Sequence, residues 1–222
     1  MHAVVICRDD GGWGTVNGNW RDYGSVPVKI TVDYALCGRN LTLADLKASH
    51  ADTLVLAGVA SSYSFAPKAI QAIQTYAEEG HTLLGASLVF GYQPGGKDND
   101  ALAPVFGLAE QETWRKSGDS GAPFTFSLDE SDPASPALFR DVPDPYVSSN
   151  AARTEKPTDS HWSANELAGA RYLGLTSDTT SAITLYDSAG YRAIYIADTP
   201  YYASTPDDLQ FLYNAIIYPR SG

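Results

Sequence analysis

From Asp52 to Leu108 the chain passes through a short apolar run, a polar loop, an amphipathic stretch and a second apolar run, an order that few folds accommodate. Thr53 to Ala57 (TLVLA) is β-prone and apolar throughout, which suits a strand covered on both faces. Pro67 fits the first turn of a following helix, where a missing N–H costs nothing, and Gly80 fits the left-handed position just beyond its end. Between them Ile70, Ile73 and Ala77 recur at helical spacing and predict one buried stripe. His81 to Gly85 then opens another apolar strand. Strand, helix and strand with short connections predict a right-handed parallel crossover.

The flanking sequence extends this pattern. Ala3 to Cys7 reads as a first buried strand, Val26 to Val32 as a second, and Leu43 to Ser49 as a short helix capped by Thr42. Leu102 to Phe106 is expected to form a short helix and Phe124 to Leu128 a strand that places Phe124, Phe126 and Leu128 on one face. Residues 131–165 are rich in Pro, Ser, Asp and Asn, and predict a long, largely irregular excursion over the surface. Tyr172 to Leu175 is expected to be extended. Ala182–Tyr186 and Tyr191–Ala197 flank the turn Asp187-Ser188-Ala189-Gly190 and predict a hairpin. Thr205-Pro206-Asp207-Asp208 opens a final helix with Leu209, Leu212 and Ile216 as its stripe. With no repeat and no linker, residues 1–222 are expected to form one α/β domain.

Composition narrows the partners. A formal net charge of −11 argues against binding nucleic acid through its phosphates. No apolar run approaches the roughly 18 to 20 residues of a membrane helix, and the N-terminus lacks the basic segment and apolar core of a signal peptide. Two cysteines, Cys7 and Cys37, make neither a disulfide framework nor a zinc site, so the redox compartment stays open with a lean towards the cytoplasm. Asp98-Asn99-Asp100 and Asp207-Asp208 are oxygen-rich but lack the spacing of a calcium loop, so no metal is expected. GYQPGG lacks the Lys-Ser/Thr of a phosphate cradle, and no cofactor is implied. Many of the 14 tyrosines fall near the C-terminus, which fits either a homo-oligomeric interface or hairpin and core packing.

In order along the chain, the apolar first strand, ADTLVLAG, a helix ending in YAEEG, HTLLGAS, ALAPVFGL and GYRAIYIADTPYYASTPDDLQFLYNAIIY resemble the class I glutamine amidotransferase-like superfamily. The likeness is to its non-amidotransferase branches, the trehalose-utilisation-like (ThuA-like) proteins and the trimerisation domain of certain β-galactosidases. It implies a flavodoxin-like three-layer α/β/α sandwich with a mainly parallel central sheet and a C-terminal β-hairpin. It also implies that the place of the family's nucleophilic cysteine is held by Ser87, in Gly85-Ala86-Ser87-Leu88-Val89, and that its His-Pro-Glu-like triplet falls near Thr199-Pro200-Tyr201. Glutamine hydrolysis needs a thiolate activated by an imidazole. Neither residue is present at those places.

Two readings of the site remain. In the first, Asp9, Asp10, Trp13, Ser61, Asp198, Thr199 and Tyr201 gather beyond the carboxyl ends of the parallel strands and bind a small polar ligand, plausibly a carbohydrate, or the domain serves oligomer assembly. Carboxylates accept hydroxyl hydrogen bonds, and aromatic rings stack on the C–H faces of a sugar. In the second, Ser87 or a carboxylate pair from Asp9, Asp10 and Asp198 serves a small hydrolase, with His161 the one histidine placed to act as a base. For each of these residues the plain alternative is a strand end or a helix cap, and for Ser87 an inherited turn. The chain is expected to release no ammonia from glutamine; release that Ser87→Ala abolishes would overturn this.

Overall fold

Five parallel strands and an antiparallel extension share one nine-stranded sheet, and the order of apolar runs along the chain accounts for most of it. The computed structural model describes residues 1–6, 16, 18, 20–23, 26–36, 40–57, 64–86, 89–92, 97–109, 114–117, 124–148, 154–157, 169–177, 181–188, 190–197 and 205–218. β1 (His2–Ile6) is followed by a small antiparallel ribbon of β2 (Trp20–Tyr23) and β3 (Val26–Lys29), then by β4 (Thr31–Leu36). The single strand expected at Val26–Val32 is thus two strands in two sheets. Between them lies Ile30, fully buried and accepting the Gly18 N–H at 2.8 Å.

Helix α1 (Leu43–Ala48) starts where Thr42 caps it. The Thr42 side chain accepts the Asp45 N–H, and the Asp45 carboxylate accepts the Thr42 N–H at 2.9 Å, a reciprocal capping box. β5 (Thr53–Ala57), α2 (Pro67–Glu78) and β6 (Thr82–Ala86) form the expected parallel unit. Gly80 takes φ 99°, the left-handed geometry that ends α2. The buried face of α2 is Ala69, Ala72, Ile73, Tyr76 and Ala77, so the stripe is broader than expected, and Ile70 is only partly buried.

Beyond β6 come the two-residue strands β7 (Gly91–Tyr92) and β8 (Lys97–Asp98), a 3-10 helix (Asp100–Phe106) and β9 (Trp114–Ser117). β10 (Phe124–Leu128) follows, with Phe126 buried and its neighbours Thr125 and Ser127 exposed. The stretch expected to be largely irregular holds short α3 (Ser135–Leu138), β11 (Tyr146–Ser148) and β12 (Thr154–Pro157). β11 joins the main sheet against β10, and β12 pairs with β9. Three residues give too little alternation to announce a strand among prolines and aspartates. β13 (Arg171–Thr176), β14 (Ala182–Asp187) and β15 (Arg192–Ile196) lead to α4 (Pro206–Ile217).

The strand order is β11-β10-β13-β14-β15-β6-β5-β1-β4. β4, β1, β5, β6 and β15 run parallel, and β14, β13, β10 and β11 continue antiparallel from β15. The predicted hairpin is therefore the hinge between the two halves, and its second strand enters the parallel core. On one face Val4, Leu54 and Leu83 meet α1, α2 and the 3-10 helix; on the other Ala3, Val5, Val55 and Leu84 meet α3 and α4. This is the flavodoxin-like three-layer arrangement. Every residue of β5, β6 and β15 is buried, so a single Leu→Ala change there removes on the order of 2–5 kcal/mol.

A chain of charges braces the antiparallel half. Arg171 meets Asp132 at 2.8 Å and Asp187 at 3.4 Å, and Asp187 meets the buried Arg192 at 2.6 Å. The Arg192 guanidinium also lies 3.9 Å from the centroid of the Tyr218 ring, a cation–π contact that ties β15 to the residue after α4. Burial pushes the Asp132 carboxyl up, but the Arg171 hydrogen bond, the Ala134 N–H and the Arg171 charge outweigh it and hold the group below its ordinary 3.8. A carboxylate with a depressed folded pKa stabilises the fold above its unfolded pKa and loses that contribution as pH falls through the folded one. Asp132→Asn is therefore expected to lower the urea midpoint at pH 7. The gap from the parent should narrow when the titration is repeated in acid below 3.8; a gap that stays constant would contradict this role.

Candidate functional site

β15, β6, β5 and β1 are adjacent and parallel, so their carboxyl ends, at Ile196, Ala86, Ala57 and Ile6, open on one edge of the sheet. All four end residues are fully buried. Open parallel sheets bind ligands beyond this edge, where loops diverge and backbone N–H groups at helix starts point outward. Asp9, Asp10, Trp13, Ser61, Ser87, Asp198, Thr199 and Tyr201 all lie outside the described residues, as does His161.

The described residues form the floor and frame of that edge. Gly85 sits under Phe106 and Tyr195: a Cβ added there would fall 2.9 Å from the Phe106 ring and 3.3 Å from Tyr195. Phe90 packs against both rings, with centroids at 5.6 Å and 4.9 Å. The glycine of GAS thus has a packing reason of its own. Asn99, almost completely buried, accepts the Phe65 N–H at 2.7 Å, and its own N–H donates to Phe90 O at 2.6 Å. Asn99 had stood out only as part of an oxygen-rich triplet. It locks the approach to α2 onto the approach to the 3-10 helix, and a lone buried amide has no sequence signature.

Asp208, expected only as an acid at the start of α4, is fully buried and accepts the Tyr146 hydroxyl hydrogen bond at 2.7 Å. Its own N–H donates to the Thr205 hydroxyl at 3.2 Å, so it occupies the positive end of the helix dipole while tied to β11. Tyr146 is itself held between Phe126 and Phe211, with centroids at 5.9 Å and 5.4 Å. The pair pins the start of α4 to the opposite edge strand of the antiparallel half.

The histidines fall elsewhere. His2 Nδ1 is 3.3 Å from the His50 carbonyl, and the His2 N–H donates to Asp52 at 2.7 Å. His81 stacks on Tyr76 with ring centroids 3.8 Å apart. His81 immediately precedes β6, whose five residues place the carboxyl end about 16 Å away. Among the described residues, then, no histidine borders the carboxyl edge, and no group of three or more His, Cys, Asp or Glu side chains is arranged to hold a metal ion. No described helix is long and apolar enough to cross a membrane.

No family model matches the chain, and no curated protein matches it. Solved structures do. A cytoplasmic protein of Salmonella typhimurium LT2 superposes with a TM-score of 0.60 at 10% identity, covering 100% of both chains. A protein of Bacteroides uniformis described as ThuA-like gives 0.57 at 12% identity, over 97% of this chain and 89% of the other. The β-galactosidase of Bacillus circulans sp. alkalophilus gives 0.56 at 10% identity, over 97% of this chain and 30% of that one. The chain has the amidotransferase-like, ThuA-like fold.

Replacing Tyr146 by Phe keeps the ring stack and removes one donor from a buried carboxylate, a loss of roughly 1–3 kcal/mol. Urea denaturation of Tyr146→Phe is expected to show it. A change within error would mean that Asp208 is held by its other contacts alone.

Proposed function

We propose that this chain is a non-amidotransferase member of the superfamily that binds a small polyhydroxylated ligand, a carbohydrate, over the carboxyl edge of its parallel strands. The carrying observation is the shared edge of β15, β6, β5 and β1. The segments that leave it contain Asp9 and Asp10, Ser61, Ser87, and Asp198 and Thr199, with Trp13 and Tyr201 as stacking platforms. Carboxylates, hydroxyls and rings in that mixture suit sugar hydroxyls and C–H faces better than they suit an anion. The likeness of this fold to a ThuA-like protein and to part of a β-galactosidase supports the same class of ligand.

Two other roles are tested beside it. Assembly into a homo-oligomer is supported by the likeness to a segment of a larger β-galactosidase chain. A hydrolase would use Ser87 or two of the carboxylates. His2, His50 and His81 lie elsewhere, which leaves the base of such a hydrolase to His161 or a carboxylate.

The experiment is a thermal-shift screen with mono- and disaccharides, run with Asp10→Asn and Asp198→Asn. A ligand at 100 times its dissociation constant adds about 2.7 kcal/mol of stability, a shift of roughly 5–10 °C for a chain this long. Binding that both variants weaken supports the proposal. Sugars that shift nothing, with sedimentation showing a stable oligomer, would replace it by the assembly role. Turnover of nitrophenyl esters or glycosides that Ser87→Ala or Asp198→Asn abolishes would replace it by the hydrolase.

A further inference from the structure

One groove in the helix layer has a lining that includes none of the eight candidate residues. It is an open groove of about 880 Å³ between the segment leading into α1 and the first half of α2. Its walls are Leu41, Leu43, Pro67, Ala69 and Ala72. The side chains of α2 along the groove are small: Ala72 lines it with little exposed surface, and Ala69 lies fully buried beneath its floor. A volume of that size falls in the range of small-molecule sites, which combine apolar walls with a few placed polar groups.

The polar groups have one sign. Lys68 is the only charged residue lining the groove; it is exposed and makes no ion pair among the described residues. It stands in the first turn of α2, a helix of 12 residues whose N-cap, Ala66, offers no side-chain acceptor. The positive end of the dipole and a free ammonium group therefore meet at one end of an apolar trough, on a chain of net charge −11. Asn40, Thr42, Gln71 and Thr75 complete a neutral rim. From Ala66 to Thr75 the helix advances only about 14 Å, too short to seat an amphipathic partner helix through several turns.

From this complementarity we propose that the groove binds a small amphipathic anion, an alkyl carboxylate or a ligand of that chemistry, with its carboxylate at Lys68 and its apolar body along Leu43, Pro67 and Ala72. The site and its ligand class are independent of the carbohydrate reading, and either can fail alone.

The test compares octanoate, 1-octanol and octylammonium against the whole chain by heteronuclear NMR titration, below their micelle concentrations. Octanoate is expected to bind saturably, with shifts centred on the amides of Leu43, Lys68, Ala69 and Ala72, more tightly than octanol and much more tightly than octylammonium. Lys68→Gln, a change at an exposed position, is expected to weaken octanoate about tenfold, the size of one charge-assisted hydrogen bond, and to leave octanol unchanged. Thr75→Trp, which fills the trough, should abolish binding of both while circular dichroism stays that of the parent. The proposal is overturned if the three probes bind alike, if Lys68→Gln leaves octanoate unchanged, if the shifts map elsewhere, or if no saturable binding occurs. Sedimentation showing a dimer that Thr75→Trp dissociates would also overturn it, giving the groove to a second copy of the chain.

Discussion

Burial of the parallel strands on both faces is the constraint from which the other features follow. Every residue of β5, β6 and β15 is removed from water, so neither face can carry a polar stripe and each needs its own layer of helices. That requirement sets the apolar runs in the sequence and the amphipathic faces of α2 and α4. It also directs function to the strand ends, since side chains within these strands are occupied with packing. Even Gly85 is spent on making room for Phe106 and Tyr195.

This constraint explains what was legible in the sequence. Continuous apolar runs bounded by turn residues gave β5, β6 and the β14–β15 hairpin, and alternation gave β10, almost to the residue, while Thr42, Pro67, Gly80 and Thr205 marked the helix ends. These are local signals, with the physical cause and the observed residue close together in the chain. Where a strand's identity depends on what it pairs with, the signal fails. Val26–Val32 looks continuous, but its halves pair with different partners, and β11 is a strand only because β10 lies beside it. The buried face of α2 is broader than its stripe for a related reason: it includes Tyr76, whose hydroxyl donates to the Ala51 carbonyl at 2.7 Å, a tie that spacing alone does not reveal.

The candidate site was legible as a place more than as a set of contacts. Topology puts four strand ends on one edge, and that could be inferred from the order of elements. The long-range polar ties that shape the surroundings could not. Asn99 with Phe65 and Asp208 with Tyr146 join residues far apart in sequence, and each partner alone looks like a common loop or cap residue. Buried polar groups of this kind add little net stability when satisfied and cost much when orphaned, so they select one arrangement of loops over others.

The position of β15 in the sheet bears on how the chain reaches this state. It lies between β6 and β14, and Arg192 pairs with Thr82, about a hundred residues earlier. As a nascent chain emerges, β1, β4, β5 and β6 can align while β6 still exposes an unsatisfied edge, and the antiparallel half cannot dock until β15 bridges the two. Contacts of such long range pay their loop-closure entropy before they return any stability, which slows folding. Until then the open flank of β6 is an apolar edge of the kind that pairs with other chains, so the interval between synthesis of β6 and of β15 is when the protein is most exposed to aggregation and to capture by chaperones.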